Sequence, residues 1–205
     1  YLPMIYATAC VIWLGYAWGA IPAYISTFLV ALSGGVPVGW GLLFSFANPL
    51  GLAVYAIAYR SIPIRTDLRS LAGFLFFVLT AFVAALVGSS GSFVWGYTTQ
   101  VEATDLYPIW QGWWLGGFLQ TLTFNVPLFF FLSSRVSTWK KRQKLGHGTL
   151  APSRARLGAA FGMVVSTLAG YVLLVRRFSL AELEGTLDTL VSYTHCTLPP
   201  TPAFT

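Results

Sequence analysis

The sequence predicts an all-α fold: a polytopic membrane helical bundle of about six transmembrane helices. Three observations lead there. The chain is 56% apolar and only 9% charged, where a soluble globular chain carries roughly 25% charge. The first charged residue is Arg60, and no soluble domain of this size begins with so long an uncharged run. Apolar stretches recur between Gly/Pro-rich or charged breaks, and several approach the length of about 20 residues that a helix needs to cross a bilayer core. Residues 1–177 read as one integral membrane domain, and 178–205 as an amphipathic connector with a proline-rich tail.

The elements follow in order. A first helix covers the apolar residues from Leu2 to about Tyr16. Ala17-Trp18-Gly19-Ala20-Ile21-Pro22 interrupts it, because proline suits a helix's first turn and disfavours its interior. A second helix therefore runs from Pro22 to about Leu32; the alternative is one long helix kinked at Pro22. Ser33-Gly34-Gly35-Val36-Pro37 is a loop by composition. A third helix, Val38 to Tyr59, carries Asn48-Pro49 near its middle. That proline removes a backbone hydrogen bond, and Asn48 is placed to supply the missing polar partner. The polar connection that follows holds Arg60, Arg65, Asp67 and Arg69. Thr66 or Asp67 suits the N-cap of a fourth helix, Leu68 to about Val87.

Gly88-Ser89-Ser90-Gly91-Ser92 is a loop or a helix end packed through small residues. Residues 98–108 hold Glu102 and Asp105 without a basic residue and read as an extramembrane loop. A fifth helix, Ile109 to about Ser134, precedes Arg135, Lys140, Lys141, Arg142 and Lys144. Arg154 and Arg156 introduce a sixth, Leu157 to Val175. Beyond Arg177, Leu180, Leu183, Leu187 and Leu190 recur at helical spacing among Glu182, Glu184 and Asp188, the pattern of an amphipathic helix.

Basic residues collect on the cytoplasmic side of membrane proteins. By that rule the loops at 60–69 and 135–156 lie inside, and those at 33–37 and 88–108 outside. Arg176 and Arg177 run against the scheme. Seven of the twelve basic residues fall between Arg135 and Arg156. The net charge of +6 is therefore an orientation signal and an attraction to anionic lipid headgroups. It is not a nucleic-acid footprint, which takes a basic face on a soluble module.

The fifth helix is the centre of interest. No charge occurs between Asp105 and Arg135. Trp110, Trp113 and Trp114 at its start share one helix face. They form either an interfacial aromatic anchor or a lid over a site opening outward. Gln120 and Asn125, with Asn48 of the third helix, fall within the hydrocarbon region, where an amide facing lipid is costly. They face protein, water or a ligand. These six residues are the candidate ligand site. The plainer alternative for the amides is helix–helix hydrogen bonding, worth about 0.6 kcal/mol on average.

Chemistry of other kinds finds little support. The expected spans contain no His, Asp or Glu, and no nucleophile–base set, metal-ligand spacing or phosphate loop occurs. No catalytic residue, metal or cofactor is expected. His147 sits in the basic loop, and His195-Cys196 in the tail. Cys10 and Cys196 give no disulfide framework. The lack of intramembrane carboxylates speaks against proton or cation coupling, though not against passage of a neutral solute.

Four stretches occur in a telling order: Gly15-Tyr16 with Trp18 and Pro22; Phe46-Ala47-Asn48-Pro49-Leu50 through Arg60; Leu68-Arg69 through Gly91; and Trp110-Gln111-Gly112-Trp113-Trp114-Leu115-Gly116 followed by Pro127-Leu128. Together, over residues 1–142, this resembles the first class of bacterial membrane-associated sensor domains (MASE-type). Gly117 stands where that family usually has an aspartate, so sensing through that acid does not carry over. The resemblance implies a signal-input role in a bacterial inner (cytoplasmic) membrane and a homodimer; membrane lipids and, on the accessory reading, other membrane subunits are the further expected partners. The residues after 142 carry no kinase, cyclase or phosphatase signature. The expected function is a non-enzymatic sensory module that binds a small or amphipathic ligand and relays helix repacking to a partner or output domain. Its rivals are an accessory subunit of a larger membrane complex and a carrier for a neutral solute.

Overall fold

Long apolar runs satisfy their backbone groups internally as helices, and helices joined by short connections make up residues 2–143. These, with Leu173, are the residues described by a computed structural model of the chain. They form α1 (Pro3–Leu14), α2 (Tyr16–Ser33), α3 (Val38–Ser61), α4 (Leu71–Gly88), α5 (Gly91–Thr98) and α6 (Ala103–Arg142), all within one compact unit, Tyr1–Leu168. No strand occurs among the described residues. Four segments are long and apolar enough to cross a membrane: α2, α3, α4 continued by α5, and α6. The 12-residue α1 is apolar but shorter. The described residues thus hold four helices of spanning length rather than six. The expected sixth helix (Leu173 apart), the amphipathic connector, the tail, His147, His195 and Cys196 lie outside the described residues.

Three boundaries differ from the sequence reading, each for a backbone reason. The first break falls at Gly15, whose φ of 115° is open to glycine and strained for other residues. α2 then starts at Tyr16 and runs through Pro22, which lies on its exposed side. α4 starts at Leu71 because Leu68 has a φ of 53°, outside the right-handed helical region. Its N-cap is Ser70, whose Oγ accepts from the Gly73 N–H at 3.1 Å. Asp67, expected as the cap, instead accepts from the Arg65 guanidinium at 2.6 Å and from the Arg69 N–H at 3.5 Å. Finally, α6 begins at Ala103 and runs to Arg142, so most of the expected outer loop is helical. Asp105 in its first turn and Lys140, Lys141 and Arg142 in its last complement the helix dipole.

Helices α1 to α4 run antiparallel, each to the next along the chain, and α1, α3 and α6 all run toward the same end. Around Gly15, α1 and α2 close so tightly that a Cβ on Gly19 would collide with the Ala7 carbonyl and the Val11 side chain. The Tyr24 hydroxyl of α2 donates to the Leu42 carbonyl of α3 at 3.3 Å. Asn48 does not compensate Pro49; its Nδ2 reaches across to donate to Thr27 Oγ1 on α2 at 2.8 Å. α3 and α4 touch backbone to backbone at Gly51 and Gly88. Leu52, Tyr55, Phe77, Ala81 and Phe129 fill the core between α3, α4 and α6. Edge-to-face contacts join Trp13, Phe129 and Phe77 at 5.2 and 5.4 Å.

A polar clasp closes one end. The Trp13 Nε1–H donates to Ser133 Oγ at 3.2 Å, and the Ser133 hydroxyl donates to the Thr66 carbonyl at 2.8 Å. The Lys140 ammonium donates to the Trp13 carbonyl. Gly15, the 62–70 connection and the basic end of α6 therefore share one end, and the 34–37 loop and the Ser89-Ser90 turn share the other.

Asp67 makes the clasp end sensitive to acid. Burial raises its pKa, but the Arg65 side chain and the Arg69 N–H, with both guanidinium charges, outweigh it and hold the carboxyl below its ordinary value of 3.8. A pKa depressed in the folded state contributes stability above the unfolded value that is lost as pH falls through the folded one. Arg65 is 82% exposed, so the pair is screened by salt and contributes little by itself. Asp67→Asn is expected to flatten the loss of thermal stability below about pH 4, measured as melting temperature against pH at low ionic strength.

Candidate ligand cavity

Glycine has two opposite uses in this bundle. Gly51 and Gly88 let α3 and α4 touch, whereas Gly112, Gly116 and Gly117 leave α6 bare: a Cβ on any of these three meets no described residue within 4 Å beyond its own helix. The unfilled space is a cavity of about 520 Å³, within the range of small-molecule sites. It lies in the half of the bundle away from the clasp. Met4, Ile5 and Thr8 of α1 and Thr27 and Val30 of α2 form one wall. Phe44, Asn48, Gly51 and Tyr55 of α3 face it, with Ala84, Ala85 and Gly88 of α4 and the adjoining Ser89. α6 supplies Gly112, Trp113, Gly116, Gly117, Gln120 and Thr121.

The polar groups are neutral and well placed. Asn48 is fixed by its bond to Thr27, and Thr27 in turn donates to the Ala23 carbonyl at 2.7 Å. At the floor, the Tyr55 hydroxyl pairs with the Thr121 side chain by a hydrogen bond. No Asp, Glu, Lys, Arg or His stands among the described lining residues. An ion would find no counter-charge there. The site offers apolar walls with amide and hydroxyl groups, which suits binding and gives no acid–base or nucleophilic pair for a reaction. Among the described residues no three His, Cys, Asp or Glu side chains gather to hold a metal ion.

The six residues singled out from sequence separate in space. Asn48, Trp113 and Gln120 line the cavity. The Trp113 ring packs on Phe44 and Trp95, with centroids 6.0 and 6.1 Å away. Trp110 and Trp114 are not among its walls. Trp114 turns to α4 and meets Phe82 at 5.5 Å, and Trp110 packs on Tyr107 and Trp114 at 5.9 and 6.3 Å. Successive helical residues point about 100° apart, so Trp113 and Trp114 serve different neighbours, and the three rings form no common lid. Asn125 lies one turn below Thr121, fully buried, with neither amide atom bonded to a described residue.

Sequence reasoning missed Thr27, Tyr55, Thr121 and the open glycines. The spacing of Gly112, Gly116 and Gln120 at four-residue steps was a usable signal for one small-residue face. Thr27 gave none, since a membrane-helix threonine ordinarily bonds its own backbone. The chain matches no protein-family model, no curated protein and no solved structure.

Proposed function

We propose that this chain is a sensory module of the bacterial inner membrane, in which the cavity takes a small neutral or amphipathic molecule and α6 carries the resulting repacking to the clasp. The observation that carries this reading is the cavity itself: apolar walls, neutral hydrogen-bonding groups and no described charge. It sits on a helix that runs unbroken to Ser133. Only 11% of the apolar part of α6 is buried, against 50% for α3, so α6 is the helix most easily shifted. A ligand moves such an equilibrium only by its differential affinity for the two arrangements, and a cavity walled partly by α6 supplies that difference. The positive-inside rule places the clasp in the cytoplasm and the cavity half outside. The resemblance to MASE-type sensor domains supports the input role.

The reading is tested with n-octanol, a neutral amphipathic alcohol, dialysed against the full chain in lipid nanodiscs and against empty discs. Saturable excess binding is expected. Asn48→Leu is expected to weaken it about tenfold, the equivalent of about 1.4 kcal/mol; binding that never saturates, or that ignores this substitution, contradicts the proposal. The exposure of α6 favours a second reading, a structural subunit covered by another chain. Purification in mild detergent with other chains at fixed stoichiometry would support that one.

A further inference from the structure

α3 and α6 both run toward the clasp; Phe44 packs on Trp113 near the far end, and further along Tyr55 meets Thr121. One helical turn beyond that pair stand Tyr59 on α3 and Asn125 on α6. The Tyr59 hydroxyl and both amide atoms of Asn125 are buried without a hydrogen-bond partner among the described residues. Asn125 is 0% exposed. Buried polar groups are almost always bonded, and here two helices each carry unbonded ones, a turn beyond the residues of the cavity floor.

We propose that Tyr59 and Asn125 form a second polar site, reached when the Tyr55–Thr121 bond opens, that receives the hydroxyl or amide head of a neutral amphipathic ligand whose apolar body fills the cavity. The inference rests on reading the cavity as a ligand site. The donor and acceptor inventory sets the ligand class. Asn125 offers one accepting oxygen and one donating nitrogen, and the Tyr59 hydroxyl does both. A hydroxyl or an amide matches that set from both sides. A carboxylate or an ammonium would be buried without a counter-charge and is excluded. Tyr55 and Thr121 line the cavity, and each precedes a member of the lower pair by one helical turn, so their bond is the barrier to entry.

The chain has two asparagines, Asn48 in the cavity wall and Asn125 below the floor. Isotope-labelled asparagine in the full chain, in nanodiscs, therefore gives two side-chain amide signals in heteronuclear NMR, assigned with Asn125→Leu. n-Octanol is expected to shift both signals saturably, and n-octane to leave that of Asn125 in place. Tyr55→Phe, which removes the latch hydroxyl, is expected to lower half-saturation of the Asn125 shift about fivefold, the effect of one lost hydrogen bond. If Asn48 responds and Asn125 does not, in wild type and in Tyr55→Phe alike, the second site is wrong and the cavity reading stands. If n-octane moves Asn125 as n-octanol does, recognition of a polar head is overturned. If neither asparagine responds, the cavity reading fails and this inference falls with it.

Discussion

Gly51→Leu is expected to prevent the chain from accumulating as a folded bundle. A Cβ at Gly51 would stand 2.8 Å from the Ala84 carbonyl oxygen and 3.2 Å from the Gly88 Cα. Both obstacles are backbone, so no rotamer change relieves them, and α3 and α4 must move apart. That separation would open the contact between Tyr55 on α3 and Phe77 on α4, whose rings stand 6.2 Å apart. Forcing one extra methyl into a close-packed site costs about 1–3 kcal/mol, so Gly51→Ala is expected to fold with lowered stability. Leucine adds three further carbons in the same place. Unfolding in a denaturing detergent series, with size-exclusion profiles in a mild one, ranks the variants. A Gly51→Leu protein as stable as wild type would show that α3 and α4 do not meet at this point.

Gly116→Leu is expected to do the reverse: keep the fold and remove the site. Beyond its own helix, no described residue lies within 4 Å of a Cβ placed there, and the position borders the cavity, so the new side chain has room to enter it. Replacing a mid-helix glycine also favours the helix by up to about 1 kcal/mol. Stability is therefore expected to hold or rise while n-octanol binding falls by at least about tenfold, or about 1.4 kcal/mol. The opposite directions of the two effects separate loss of a site from loss of a structure. Undiminished binding in a stable Gly116→Leu protein would place the ligand elsewhere.

These two glycines also show where the sequence stops being informative. Gly51 and Gly116 both sit in apolar helical runs and look alike on the page. One closes a helix contact and the other leaves a space, and only the neighbours brought by the tertiary fold decide which. The helical class was legible because hydropathy and the placement of charges act over long stretches. The break at Gly15 and the start of α4 at Leu71 depend on single φ angles, and Pro22 was read as a boundary when α2 runs through it. Asn48, Gln120 and Trp113, which line the cavity, are legible as candidates because amides in an apolar run must face something other than lipid and because a tryptophan at a helix start is conspicuous. Trp110 and Trp114 were grouped with Trp113 by spacing alone, although adjacent residues on a helix look toward different neighbours. The burial of Asn125 followed from its polarity, but its separation from Gln120 by the cavity floor depends on Tyr55, a residue of another helix.

Filling the cavity is expected to move α6 at the clasp. The most direct measurement is the distance between spin labels on Thr138→Cys near the end of α6 and Leu71→Cys at the start of α4, both exposed positions. The background carries Cys10→Ser and Cys196→Ser, and the protein is held in nanodiscs. n-Octanol is expected to shift the distance distribution in this protein and to leave it unchanged once Gly116→Leu is added. A distribution that ignores n-octanol while n-octanol is bound, or that shifts equally with Gly116→Leu present, would contradict it.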